Sequence, residues 1–120
     1  MKTNELRVGN YAKGLFDETV SLKAIYEDGT LAWQDGKGTT YGPMKPIKLS
    51  EGWLKSLGFK EEYKNHWRKD DFRLVVADIL SEEKTGFGFP TDVMPFDEVF
   101  IEYVHQLQNI YFFIKREELD

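Results

Sequence analysis

Histidine offers this sequence its widest chemical reach, and the placement of its two copies argues against using it. His66 and His105 stand 39 positions apart and the chain has no cysteine. A zinc site would therefore need further carboxylates brought in by folding alone. Nucleophilic catalysis has no better footing. There is no Gly-x-Ser-x-Gly, and Ser50, followed by Glu51 and later by Gly58, is placed as a helix N-cap. Gly36-Lys37-Gly38 lacks the rest of a phosphate loop and reads as a hairpin turn. The acids come as doublets, Asp17-Glu18, Glu27-Asp28, Glu61-Glu62, Asp70-Asp71, Glu82-Glu83, Asp97-Glu98 and Glu117-Glu118. Neighbours on a strand point to opposite faces, so a doublet is no facing acid–base pair. They read as solvated turn acids, with a negative surface competing for a partner's basic groove as the sharper alternative. No catalytic, cofactor or metal residue is assigned, and a non-enzyme is expected.

Recognition has better candidates. Between Lys60 and Arg73, Tyr63, His66, Trp67 and Phe72 alternate with Lys64, Arg68, Lys69 and Arg73. Aromatics and arginines on a sheet can stack bases and hold phosphates. Yet the segment holds five basic and four acidic residues, net +1, so a protein partner is preferred to nucleic acid. The candidate interaction surface is Tyr63, His66, Trp67, Arg68, Lys69 and Arg73. A second polar group, His105 with Gln108 and Asn109 at helical spacing, is expected to bond at a helix–sheet seam. Gly86-Phe87-Gly88-Phe89 reads as a twist or bulge in an edge strand, bare of side chains on one face.

These residues need elements to hold them. From Leu6 to about Leu49 short alternating runs (Leu6, Val8, Tyr11; Val20, Leu22, Ala24, Tyr26; Leu31, Trp33) are separated by Asp28-Gly29 and Asp35-Gly36-Lys37-Gly38, the pattern of hairpins. A two-turn helix between Ser50 and Gly58 has an apolar edge of Trp53, Leu54 and Leu57, with Lys55 and Ser56 turned outward. Strands are expected at Phe59–Tyr63, His66–Lys69, Phe72–Ile79, Thr85–Pro90 and Val99–Tyr103, joined too briefly for parallel crossovers. A helix from Val104 to Glu117 follows, burying Val104, Leu107, Tyr111 and Ile114 and closing a face of that second sheet. The fold class is α+β: a small SH3-like barrel or meander (1–49) packed beside an antiparallel sheet with one short and one C-terminal helix (50–120), as a single domain.

Composition bounds the setting. At 120 residues with 15% aromatics the chain can bury a core, and its net charge of −5 disfavours wrapping phosphate backbones. The absence of cysteine, of an apolar leader and of any long apolar run fits a cytoplasmic protein without a membrane role. Ile110-Tyr111-Phe112-Phe113-Ile114 covers a helix all round, so either the rest of the monomer or a second copy must hide part of it, and a monomer is favoured over a homodimer.

Three blocks, Leu6-Arg7-Val8-Gly9-Asn10-Tyr11, Trp53-Leu54-Lys55-Ser56-Leu57-Gly58-Phe59 and Tyr103-Val104-His105-Gln106-Leu107-Gln108-Asn109-Ile110-Tyr111-Phe112, resemble, in that order, a family of short bacterial and phage proteins. The resemblance brings no activity with it. It implies a mobile-element setting, where many small acidic proteins disable host machinery, including CRISPR nucleases. An inhibitor of a host protein such as a nucleic-acid-guided nuclease, or of a nucleoprotein complex, is the function it implies. The alternative is a small SH3-like nucleic-acid-binding accessory protein. After Phe112 members often read Ala-Leu-Thr-Gly, whereas this chain has Phe113-Ile114-Lys115-Arg116.

Overall fold

The computed structural model describes residues 5–79, 84–88 and 100–119. It is mixed α+β, with two antiparallel sheets and two helices. The backbone groups into two units, Met1–Ile47 with Tyr103–Asp120, and Lys48–Glu102.

In the first unit, β1 (Tyr11–Lys13), β2 (Thr19–Ile25), β3 (Leu31–Gln34) and β4 (Thr39–Tyr41) form a meander in chain order. Ala12 opposes Val20, and Leu22 opposes Trp33. This alternation gives a core of Leu6, Ala12, Val20, Leu22, Leu31, Trp33 and Met44. The Trp33 indole N–H is satisfied at 2.7 Å by the Gly42 carbonyl, so the ring is buried without an orphaned donor. The expected alternation fails after Leu22. A register shift between Leu22 and Ala24 leaves Tyr26 about half exposed. Among the described residues β1 and β4 are not paired to one another, so the sheet is an open meander and not a closed barrel.

Helix α2 (Val104–Lys115) belongs to this unit, not to the second sheet as its sequence position suggested. Gln106 Oε1 accepts from the Tyr103 N–H at 3.0 Å, and the Val104 N–H is held by the Ile47 carbonyl at 2.9 Å. Val104, Leu107 and Tyr111 are buried. Ile114 is not: it is 47% exposed. From Leu107 it lies seven residues on, where the 20° drift of a straight helix per heptad combines with the helix end at Arg116, which is left-handed at φ 59°.

The second unit opens with α1 (Glu51–Ser56). Ser50 Oγ accepts from the Trp53 N–H, and Glu51 sits in the first turn, as the capping pattern requires. At the other end Gly58 takes φ 92°. The Phe59 and Gly58 N–H groups reach back to the carbonyls of Leu54 and Lys55, a Schellman closure whose flanking Leu54 and Phe59 are both buried. Strands β5 (Lys60–Tyr63), β6 (His66–Lys69), β7 (Phe72–Ile79), β8 (Lys84–Gly88) and β9 (Phe100–Ile101) then make a second meander. Trp67 opposes Leu74, and Phe87 opposes Ile101. All four are buried, and the Phe59 ring stands edge-on to Phe72 at 6.0 Å. Gly86 and Gly88 lie in a regular ladder on β8, an interior strand between β7 and β9, and not in a bulged edge. Phe89, Pro90 and Val99, expected as strand residues, fall outside the described residues, as do the doublets at 82–83 and 97–98.

Candidate recognition face on the second sheet

Register decides which of the expected surface residues share a face. On β6, His66 and Arg68 point one way and Trp67 and Lys69 the other. Trp67 is 1% exposed and belongs to the core. Its indole nitrogen has no hydrogen-bond partner among the described residues. Lys69 follows Trp67 inward and spends its charge at home: Nζ donates to the Leu57 carbonyl at 2.9 Å, capping the last turn of α1. Two members of the expected surface are therefore structural.

The remaining four are exposed and close together. Arg68 opposes Arg73 on β7 and Lys60 on β5, so three cations occupy neighbouring positions across three strands. Lys60 was not singled out from sequence, because only the strand register places it beside Arg68. Tyr63 opposes His66 across the β5–β6 turn, with the rings edge-to-face at 6.1 Å and Tyr63 68% exposed. A bulge between Glu61 and Tyr63 brings Glu62 to 3.7 Å from the Arg68 guanidinium, which offsets part of the positive charge. An open depression lies at one end of this row, lined by Gly58, Lys60, Arg68, Lys69 and Asp70. The surface can hold anionic groups and can stack a planar one on Tyr63. It contains no nucleophile with its base.

The second polar group lies in the first unit and is committed internally. Gln108, 2% exposed, accepts from the Tyr11 N–H at 2.8 Å and donates to the carbonyls of Gly9 and Leu119. Asn109 accepts from Asn10 Nδ2 at 2.8 Å and donates to the Glu5 carbonyl at 2.7 Å. Asn10 in turn accepts from the Arg7 N–H at 2.7 Å. The first and last of the blocks quoted above are thus the two sides of one network that seats α2 on the start of the chain. His105 is the exception. It is 1% exposed, stacks on Tyr103 with ring centroids 5.9 Å apart, and neither ring nitrogen has a hydrogen-bond partner among the described residues. The Glu5 carboxylate lies 3.9 Å from Nε2. Burial holds the imidazole below its usual range, with Glu5 opposing part of that shift.

Two turn acids are held by their own hairpins, whereas the doublet acids Glu62 and Glu118 pair with Arg68 and Arg7. Asp28 accepts from the Thr30 N–H and Asp35 from those of Lys37 and Gly38, and these bonds hold both carboxyls below the ordinary range. Among the described residues no three His, Asp or Glu side chains gather as a metal site would require. No described helix is long and apolar enough to cross a membrane. Comparison with protein-family models, curated proteins and solved structures gives no match.

Proposed function

We propose that this chain is a non-enzymatic binding protein that acts by covering part of a partner macromolecule, with the solvent face of β5–β7 as its recognition surface. The observation that carries this reading is the row Lys60–Arg68–Arg73. Like charges directly opposed across strands oppose folding, and Glu62, 3.7 Å from Arg68, offsets only part of that charge, so an anionic surface on a partner would complete the row. Exposed Tyr63 and His66 beside the row supply the aromatic contact that binding surfaces favour. A protein partner is preferred because the surrounding chain is acidic, net −5, which repels a phosphate backbone beyond the row itself. A host nuclease or nucleoprotein complex, as the sequence resemblance implies, is the partner class, and occlusion is the mode of inhibition.

Direct nucleic-acid binding is the second reading, favoured by the same three cations with Tyr63 as a stacking platform. Trp67 drops out of it, being core. Tagged purification from the native host, with and without nuclease treatment, separates the two. A stoichiometric protein that survives nuclease and is lost in Arg68→Glu/Arg73→Glu supports the proposal. Recovery of nucleic acid alone, released by rising salt, replaces it with the second reading.

A further inference from the structure

The turn between β1 and β2 should be polar, yet it carries Leu15 and Phe16 at its tip, 78% and 90% exposed. They are held there firmly. The Gly14 N–H donates to the Glu18 carbonyl at 2.8 Å, the Asp17 N–H donates to the Gly14 carbonyl at 3.2 Å, and Asp17 takes the left-handed conformation at φ 62°. Glu18 folds its carboxylate back over Gly14 and accepts from the Phe16 N–H at 3.0 Å. A Cβ at position 14 would collide with that carboxylate, so glycine leaves the room that this Glu18 conformation uses. The loop's polar groups are therefore used to fix its shape, while its two large apolar side chains are given to solvent. Ordering an exposed Leu–Phe pair brings folding nothing, since neither side chain leaves water. It lowers the entropy cost of docking, because the anchor is already in place.

We infer that the β1–β2 tip is a protein-docking knob: Phe16, with Leu15 beside it, enters an apolar pocket whose rim carries lysine or arginine to meet Asp17 and Glu18. Charge selects this occupant. Asp17 and Glu18 follow the apolar pair directly, while the nearest cation in sequence, Lys13, stands behind the tip at the end of β1, so the charge at the tip itself disfavours an anionic lipid surface and favours a basic rim. The inference rests on the reading of the chain as a protein-binding module but uses a surface separate from the β5–β7 face.

The test places a photoreactive phenylalanine analogue, p-benzoylphenylalanine, at position 16 in cells of the native host. The same analogue at Lys37, an exposed position on another hairpin, is the control. The crosslinked peptide is mapped by mass spectrometry. The expected product is one protein joined at an apolar pocket flanked by lysine or arginine, absent from the Lys37 control. Purified, that protein should bind Phe16→Ser about thirtyfold more weakly than the parent, the loss of one anchor residue, while the melting temperature of the variant is unchanged. Crosslinks to a second copy of this chain, to lipid in phosphatidylcholine–phosphatidylserine vesicles, or no more than at Lys37 would each overturn the knob. Should the partner still be captured through Arg68 and Arg73 in that case, the knob fails and the binding function stands.

Discussion

At the scale of single residues, the most exacting position is Gln108. Its side chain serves the Tyr11 N–H and the carbonyls of Gly9 and Leu119 from a site 2% exposed. Gln108→Leu keeps the volume and strands all three groups. With a cost of ~1–3 kcal/mol for each buried group left unpaired, a loss of at least ~2 kcal/mol is expected in urea unfolding. A change below half that would mean water replaces the amide. His105 gives a pH dependence whose sign follows from its environment. Its folded pKa is lowered by burial, so the unfolded chain binds the proton more readily. The stability this confers is complete above the unfolded value near 6.5 and is lost as pH falls below it. The urea midpoint should drop between pH 7 and pH 5, and His105→Leu should flatten that drop; an identical slope in the variant would assign it to the carboxylates. The spacing of His105, Gln108 and Asn109 made a polar seam legible. What it met was not legible, because Arg7 and Asn10 come from the far end of the chain and only the fold brings them there.

At the scale of elements, local signals were read well and docking was not. β6 and β7 begin and end where alternation placed them, and α1 lies between the cap and the glycine that mark it, since these features are set by neighbours in sequence. The seat of α2 is set by tertiary contacts, and proximity in sequence to β9 misdirected it. Trp67 misled for a related reason. An aromatic among cations looks like a binding residue, whereas the pleat turns it inward opposite Leu74. Two substitutions test the elements themselves. Leu107, fully buried on α2, should cost ~2–5 kcal/mol on replacement by alanine; a loss under half a kcal/mol in denaturant unfolding would show that α2 is not seated through this residue. Gly58→Ala forces φ 92° on an L-residue and brings its Cβ to 3.2 Å from Lys69 Nζ. The conformational term alone is ~1–2 kcal/mol. A melting temperature equal to the parent's would show that the Schellman turn at the end of α1 has relaxed to another closure.

At the scale of the whole molecule, charge and apolar exposure point in different directions. The net charge of −5 gave no sign of the cationic row on β5–β7, because a sum over the chain hides a local reversal that register creates. The apolar run on α2 was clearer, and the structure divides it. Tyr111 is buried, the Arg7 guanidinium covers Phe112 at 3.8 Å, and Phe113 and Ile114 remain 74% and 47% exposed. Two such side chains offer at most ~150–250 Å² each, against the ~800 Å² per partner that a stable interface buries. Lys115 and Arg116 follow at once, with the Arg116 guanidinium 5.8 Å from the Phe113 ring, so the patch is also bounded by charge. Light scattering at micromolar concentration should therefore give the monomer mass of 14.1 kDa. A dimer mass that reverts to monomer in Ile114→Lys would show instead that a second copy covers the end of α2, and that the exposed pair is an interface.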